Sequence, residues 1–167
     1  KLIERLSDPV RLVRYAVMTA VAHHPTSTWL DAALAREDAQ TRLRALAASV
    51  VRRERAGGET VRRAVKDLLD ACSPGETREN RLDLLRIIGL FRSALSEERE
   101  SLERVSRFLL AGFPDPDRDI RAELARLIGE YRLSGGFGKL LAAIESENDP
   151  LEGFHLAQAL ARIPEGF

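Results

Sequence analysis

The sequence predicts an all-helical protein made of about five similar pairs of helices. Three observations support this fold class. Aromatic residues make up only 5% of the 167 residues, and Leu, Arg, Ala and Glu are the most frequent types, a composition that suits helices better than sheets. Apolar residues recur at helical spacing. The same pattern returns every 30 to 40 residues along the chain, which indicates an internal repeat.

The repeat is defined by an Asp that an Arg follows six residues later. Three copies have both residues: Asp8 with Arg14, Asp38 with Arg44, and Asp115 with Arg121. A fourth copy has Arg81 without the Asp, and the last has Asp149 with His155 in the Arg position. We call Arg14, Arg44, Arg81, Arg121 and His155 the column residues. Their spacings along the chain are 30, 37, 40 and 34 residues.

Apolar residues follow the column at offsets of three, four and seven positions, which together form one face of a helix. At the first offset lie Val17, Ala47, Leu84, Leu124 and Gln158. At the second lie Met18, Ala48, Leu85, Ala125 and Ala159. At the third lie Val21, Val51, Ile88, Ile128 and Arg162. The last copy departs at Gln158 and Arg162, so its helix is expected to lie at the edge of the stack or to be exposed by truncation.

A first helix is predicted before each of these second helices, over residues 1–6, 28–36, 59–71, 96–110 and 137–145. Ser27 or Thr28 and Ser96 are expected to cap two of the first helices, because a side-chain oxygen can accept an unpaired helical N–H group. The Asp of each Asp-Pro pair is expected to cap the second helix, with the Pro supplying a suitable φ at its start.

Three segments resemble the HEAT repeat, particularly its short bacterial PBS-lyase-like form: DPVRLVRYAVMTAVA, DAQTRLRALAASVV and DPDRDIRAELARLIGEY. The resemblance covers essentially the whole chain. It implies one armadillo-like domain over residues 1–167, folded as a right-handed α-solenoid, the α-α superhelix. Its units would span residues 1–25, 26–56, 57–94, 95–133 and 134–167. Because the chain opens with Lys1 inside a predicted helix, we expect it to be a segment of a longer protein.

The HEAT resemblance also implies a ladder in which the turn Asp and the column Arg link neighbouring units. Asp8, Arg14, Asp38, Arg44, Asp115 and Arg121 match that pattern fully. Arg81 matches in part, since its copy lacks the Asp. His155 departs from the pattern.

The charge balance disfavours a dedicated nucleic-acid binder. Lys and Arg total 26, as do Asp and Glu, whereas nucleic-acid-binding domains usually carry a basic excess. Residues 1–72 have 13 basic and 9 acidic side chains, and residues 73–167 have 13 and 17. Such a gradient can orient a charged partner. No segment has the length and apolarity of a membrane span, and no signal peptide is evident, so the cytoplasm is only the default location.

The sequence contains no convincing catalytic or metal-binding set. His23 and His24 are about four repeat units from His155, too far apart in the predicted stack to share a metal. Cys72 has no histidine near it in sequence to serve as a base, and as the single cysteine it cannot form an intrachain disulfide. We therefore expect neither catalysis nor a cofactor.

The second helices line the concave side of HEAT arrays, so the resemblance places a candidate partner-binding surface on them. Its residues are Thr19, His23, Ser49, Arg52, Asp83, Arg86, Glu123, Arg126 and Glu130. The alternative is an ordinary solvated face, on which Asp83 pairs with Arg86 and Glu123 with Arg126.

These patterns predict a non-catalytic scaffold that binds another protein. Two alternatives stay open. A nucleic-acid-binding array of the DNA-repair type would need a basic cluster on one exposed face, formed by Arg52, Arg53, Arg62, Arg63 and Lys66. The segment could also be a spacer in a larger enzyme whose active site lies elsewhere.

Overall fold

The computed structural model describes residues 1–51, 57–71 and 77–164 of the chain. All regular structure in these ranges is helical, and they contain no strand, which confirms the all-α part of the prediction. The chain divides into two compact units, Lys1–Leu95 (unit 1) and Ser96–Phe167 (unit 2).

The elements follow in simple order along each unit. Unit 1 contains α1 (Arg11–Ala22), α2 (Leu30–Leu34), α3 (Ala39–Val51), α4 (Gly58–Ala71), α5 (Arg78–Leu90) and α6 (Arg92–Ser96), whose last residue begins unit 2. Unit 2 contains α7 (Arg99–Gly112), α8 (Arg118–Glu130), α9 (Phe137–Ser146) and α10 (Pro150–Leu160). Short 3₁₀ segments occupy Ile3–Ser7, Thr26–Thr28 and Ser134–Gly136.

The predicted second helices are confirmed as α1, α3, α5, α8 and α10, which we call the column helices. Of the predicted first helices, α4, α7 and α9 agree closely with the sequence pattern. The first is instead a 3₁₀ turn over Ile3–Ser7, and the second is only the five-residue α2 after another 3₁₀ turn. Helix α6 was not predicted.

The buried stripe that the periodicity predicted is present in both units. The buried members of the three apolar offsets are Val17, Val21, Ala48, Leu84, Leu85, Ile88, Leu124, Ala125, Ile128 and Ala159. Gln158 and Arg162 are exposed, as their departure from the pattern indicated. Ala47 is only half-buried. The repeat register read from the sequence is therefore also the register of the hydrophobic core.

Each unit is held together by contacts between its column helices. In unit 1, α3 packs against α1, α2 and α5. One core cluster, around Leu6, Val17 and Trp29, lies among the first 3₁₀ segment, α1, α2 and α3. In unit 2, α8 packs against α7 and α10, and α9 packs against α10. Helices α8 and α10 come close together at Gly129 of α8, where an added Cβ atom would lie 2.6 Å from the carbonyl oxygen of Ala159.

Helix capping agrees with the sequence only in part. Asp149 accepts a hydrogen bond from the Leu151 N–H group, with Pro150 in the first helical turn, as expected. In the fourth repeat, however, Asp117 caps α8, while Asp115 accepts from the Asp117 N–H group in the preceding turn. The turn between α7 and α8 is thus longer than the Asp-Pro rule assumed.

The other predicted caps are wrong. Asp8 lies three residues before the start of α1 and accepts from the Val10 N–H group, and Val10 occupies the N-cap position without a side-chain cap. Ser27 and Thr28 lie around a 3₁₀ turn, and Trp29 is the N-cap of α2. Helix α7 begins after Glu98, beyond Ser96. Local turn geometry, which the periodicity does not encode, displaced each cap.

Asp38 caps α3, and its removal is expected to destabilise unit 1. Its carboxylate accepts from the N–H groups of Gln40 and Thr41 and from the Thr41 hydroxyl. Burial alone would raise the pKa of Asp38, but the hydrogen bonds from Thr41, Ser7 and Gln40 outweigh it and hold the pKa below the ordinary 3.8. Loss of such a cap costs about 1 kcal/mol.

We therefore expect Asp38→Ala to lower the free energy of unfolding by about 1 kcal/mol at pH 7. Because the pKa of Asp38 is depressed in the folded state, the charged cap stabilises the fold above pH 3.8 and loses this effect as the pH falls further. Urea unfolding of both proteins between pH 3 and 7 measures the difference. If the difference in unfolding free energy between the two proteins is the same at every pH in this range, the ionised Asp38 carboxylate is not what stabilises the helix.

Candidate binding cleft

The predicted partner surface is exposed on α1 but buried on α3. Thr19 and His23 are exposed, and the Thr19 hydroxyl donates to the carbonyl of Tyr15 one turn earlier. Ser49 is fully buried, and its hydroxyl donates to the carbonyl of Leu46. The inclusion of Ser49 in a binding surface was therefore wrong, because helices pack around α3 and cover this position. Arg52 lies outside the described residues.

The charged members of the predicted surface pair within their own helices. In α5, Arg86 Nη1 lies 3.0 Å from the Asp83 carboxylate, and burial raises the pKa of Asp83 despite that cation. In α8, Arg126 lies 2.7 Å from each of Glu123 and Glu130. Burial alone would lower the pKa of Arg126, but hydrogen bonds and charge from the two glutamates outweigh it and raise the pKa. These charged side chains form ion pairs within their own helices, so they leave little net charge on this surface to attract a partner.

The basic cluster expected of a nucleic-acid binder is only partly described. Arg52 and Arg53 lie outside the described residues, as does Cys72. In α4, Arg62 donates to the carbonyl of Ala94 at 3.2 Å, and Arg63 pairs with Glu59 at 2.9 Å. Lys66 is exposed. Two of the three described cations thus have partners within unit 1.

Two of the three column arginines of unit 1, Arg14 and Arg44, meet at Glu79, a residue that the sequence did not single out. Arg14 Nη2 and Arg44 Nη2 lie 3.1 Å and 2.7 Å from the same Glu79 oxygen. Arg14 also donates to the main-chain carbonyl of Asp8, and the buried Arg44 donates to the carbonyl of Leu6. The Asp8 carboxylate pairs with Arg5 instead. The hydrogen bond from the Val10 N–H group, followed by the one from Arg5, lowers the pKa of Asp8.

A related arrangement occurs in unit 2. Arg121 Nη2 lies 3.5 Å from Glu147 and 3.8 Å from the buried Glu152. Arg118 Nε donates to Glu152 at 2.7 Å, which raises the pKa of that guanidinium. In both units a column Arg therefore contacts a Glu at or just before the start of the next column helix. Of the other ladder residues, Asp115 is buried, Arg81 is half-buried and His155 is exposed.

Unit 2 also contains an open cleft of about 620 Å³. Its walls come from the turn after α7, from α8 and α9, and from α10. The lining residues are Pro114, Asp115, Pro116, Arg121, Lys139, Ala142, Ala143, Ser146, Glu147 and Leu156. A cleft of this volume suits a drug-sized molecule or a few side chains of a peptide.

The two cations of the cleft, Lys139 and Arg121, differ in how strongly the protein already binds their donor groups. Lys139 Nζ donates to the carbonyls of Leu110 and Phe113 at 2.8 Å and 2.9 Å, at the end of α7. Arg121 is held more loosely: both of its carboxylate contacts are long, and its buried Nε atom has no hydrogen-bond partner. A buried donor without an acceptor costs about 1–3 kcal/mol. The Nε atom is buried and out of reach of a ligand, but the Arg121 side chain is 24% exposed and its carboxylate contacts are long, so its Nη groups can donate to an additional acceptor.

Sequence reasoning missed Glu79, Glu147, Glu152 and the cleft. The sequence contained a signal for two of these residues. Glu79 lies two positions before the column residue Arg81 of α5, and Glu152 lies three positions before the column residue His155 of α10. The cleft left no such signal, because its lining comes from four separate elements.

No protein-family model matches the chain, and a search of curated proteins finds no match. Within residues 1–51, 57–71 and 77–164, no group of three or more His, Cys, Asp and Glu side chains is placed to hold a metal ion. In the same ranges, no helix has both the length and the apolarity needed to cross a bilayer.

Proposed function

We propose that the chain is a HEAT-like α-solenoid whose column helices stack side by side. The support is the agreement between register and packing inside each unit. At each of the three apolar offsets from the column, the residue is buried in three or four of the five repeats. Column helices next to each other in the repeat order also pack together, α1 with α3, α3 with α5, and α8 with α10. A single helix pair cannot bury its apolar face alone, so such units stabilise one another by stacking. The unit boundaries stay a prediction.

We further propose that the chain is a non-catalytic module that binds another protein, and that the cleft of unit 2 holds a short extended segment of that partner. The observation that carries this proposal is the loosely paired Arg121 beside an apolar wall. Pro114, Pro116, Ala142, Ala143 and Leu156 can enclose an apolar side chain. Arg121 can donate to a carbonyl or carboxylate oxygen of the same segment.

The charge of the cleft favours a peptide over a nucleic acid. Arg121 and Lys139 are balanced by Asp115 and Glu147 among the lining residues. A nucleic-acid site needs several cations free to reach phosphates, and Lys139 is already held by two main-chain carbonyls. The cleft therefore offers one hydrogen-bond donor, the Arg121 guanidinium, beside an apolar wall. This combination is usual in sites that recognise a short peptide motif.

Ala142→Trp is expected to weaken peptide binding strongly without unfolding the protein. Ala142 is exposed and lines the cleft, so an indole there fills the space while remaining accessible to solvent. Ala111→Trp is the matched control, because Ala111 is exposed on α7 and does not line the cleft. The experiment selects peptides from a displayed random library on the wild-type chain and compares their binding to both variants.

We expect peptides that share an apolar side chain to bind the wild-type chain and the Ala111→Trp variant, and to lose at least about tenfold in affinity on Ala142→Trp. Absence of any enriched peptide, or equal binding to all three proteins, would overturn the proposal. A random-sequence DNA duplex is the parallel probe. If it binds instead, with affinity falling steeply as salt rises, the chain is a nucleic-acid-binding array.

A further inference from the structure

The polar side chains that line the cleft of unit 2 differ in whether they have donor groups left for a ligand. Ser146 Oγ donates to the carbonyls of Ala142 and Ala143, one turn earlier on α9, at 3.0 Å and 3.2 Å. Lys139 Nζ is directed at two carbonyls at the end of α7. Arg121 bonds through Nη2, and within the described residues its Nη1 atom donates to nothing. Arg121 is therefore the chief donor of the cleft.

The main chain of the cleft walls offers few further donors. Pro114 and Pro116 have no N–H group. Ala142 and Ala143 lie inside α9, where main-chain N–H groups bond within the helix. A segment cannot pair with these walls as an added strand, because that mode needs a row of main-chain donors and acceptors. The cleft has to recognise its ligand through side chains.

Two carboxylates already compensate the charge of Arg121. Its Nη2 atom lies 3.5 Å from Glu147 and 3.8 Å from Glu152. Other bonds hold both acids in place. Glu147 Oε1 accepts from the next two main-chain N–H groups at 3.0 Å each, and the buried Glu152 accepts from Arg118 Nε at 2.7 Å. These acids therefore stay beside Arg121 when a ligand enters.

The surroundings of the cleft favour a neutral ligand over an acidic one. The charged lining residues and the ion pairs that continue from them comprise the acids Asp115, Glu147, Asp149 and Glu152 and the cations Arg118, Arg121 and Lys139. A ligand carboxylate on Arg121 would be a third acid against one guanidinium, and like charges brought together in a binding site are strongly unfavourable. A neutral carbonyl oxygen accepts from Arg121 without this repulsion.

Glu147 supplies an acceptor beside this donor. In the part of the chain that the structure describes, its Oε2 atom accepts only the long hydrogen bond from Arg121, since the main-chain groups bond to Oε1. A peptide chain carries both an N–H and a C=O group. Its N–H group can donate to Glu147 while a carbonyl of the same segment accepts from Arg121. A carboxylate lacks the N–H group and is repelled by Glu147.

Small residues leave room for a side chain of the same segment. Ala142 and Ala143 line the cleft together with Leu156 and two prolines, around a volume of about 620 Å³. A space of this size, with alanines on one wall, accommodates a large apolar side chain such as that of leucine or phenylalanine.

We propose that the cleft of unit 2 selects a neutral extended segment. A large apolar side chain of the segment lies against the alanines, and the adjoining main chain bridges Arg121 and Glu147. A segment with an acidic residue beside the apolar one is rejected, and Glu147 is the residue that sets this specificity. The inference rests on the proposed function, because it specifies which protein segments the cleft holds.

The test uses Glu147→Gln, which removes the charge but keeps an oxygen that can accept from the main chain. Glu145→Gln is the matched control, because Glu145 is exposed on α9 and does not line the cleft. Peptides are selected from a displayed random library on the wild-type chain, and those whose binding Ala142→Trp weakens are kept. The tightest is synthesised as selected and with aspartate in place of the residue after its apolar one.

Calorimetry measures the affinity of both peptides for the wild-type chain and the two variants, and circular dichroism checks that the variants fold. The readout is the ratio of the two affinities on each protein, which a general loss of stability does not change. We expect the aspartate form to bind the wild-type chain and Glu145→Gln at least about tenfold more weakly than the selected peptide, and Glu147→Gln to recover most of that loss.

The outcomes separate this inference from the proposed function. If the selected peptides carry an acidic residue beside the apolar one, the inference is overturned while the proposed function stands. The same holds if the ratio of affinities is equal on Glu147→Gln and on the wild-type chain. If Ala142→Trp weakens no selected peptide, the proposed function fails, and this inference fails with it.

Discussion

Replacing Gly129 with alanine is expected to lower the free energy of unfolding of unit 2 by about 1–3 kcal/mol. The new Cβ atom would lie 2.6 Å from the carbonyl oxygen and 2.9 Å from the Cα atom of Ala159. Both are main-chain atoms, so α8 and α10 would have to move apart in a closely packed core. That cost exceeds the gain of about 1 kcal/mol that alanine brings over glycine inside a helix.

Gly153→Ala is the matched control, since nothing lies within 4 Å of a Cβ atom at this position of α10. At that position the substitution causes no clash, so only the higher helix propensity of alanine over glycine acts, and it should stabilise the protein by about 0.5–1 kcal/mol. Urea unfolding followed by circular dichroism measures both variants. If Gly129→Ala is as stable as Gly153→Ala, the two column helices are not in the close contact described here.

Replacing Arg44 with methionine is expected to lower the free energy of unfolding of unit 1 by about 2–4 kcal/mol. Arg44 is 5% exposed. Its guanidinium bonds to the carbonyl of Leu6, the side chain of Gln40 and the carboxylate of Glu79. Methionine fills similar volume but leaves the buried Leu6 carbonyl without this donor, and an unsatisfied buried acceptor is costly.

Arg14→Met provides the comparison, because Arg14 bonds the same Glu79 oxygen but lies nearer to solvent. Its side chain is 16% exposed, against 6% for Arg44, and Glu79 itself is half-exposed, so screening reduces the value of the pair. We expect a loss of about 1 kcal/mol. Equal losses for the two variants in thermal or urea unfolding would show that burial does not decide the strength of this cluster.

The helices and core of the protein follow from the sequence because they depend on local periodicity. The apolar offsets around Arg81 place Leu84, Leu85 and Ile88 on one face, and all three are buried. This signal needs only the 3.6-residue turn of the helix and the tendency of apolar groups to leave water. The short helices α2 and α6 gave weaker signals, since five residues cover little more than one turn.

The contacts of the charged side chains could not be read from the sequence in the same way. Glu79 lies 65 residues after Arg14 and 35 after Arg44, so their meeting depends on the packing of α1, α3 and α5. Ser49 was expected on the partner surface because the HEAT resemblance places the second helices on the concave side, but the packed helix buries it completely. The cleft around Arg121 is equally non-local, since its walls come together only in the folded unit.

The measurement that tests the central claim most directly is photo-cross-linking from the cleft. A photoreactive amino acid replaces Ala142 in the cleft or, as the control, the exposed Ala111 outside it. Both proteins are irradiated in cell extract that has been treated with nuclease. If the cleft binds another protein, we expect a defined protein adduct from position 142 and no such adduct from position 111. The same adducts from both positions, or none from position 142, would contradict the account.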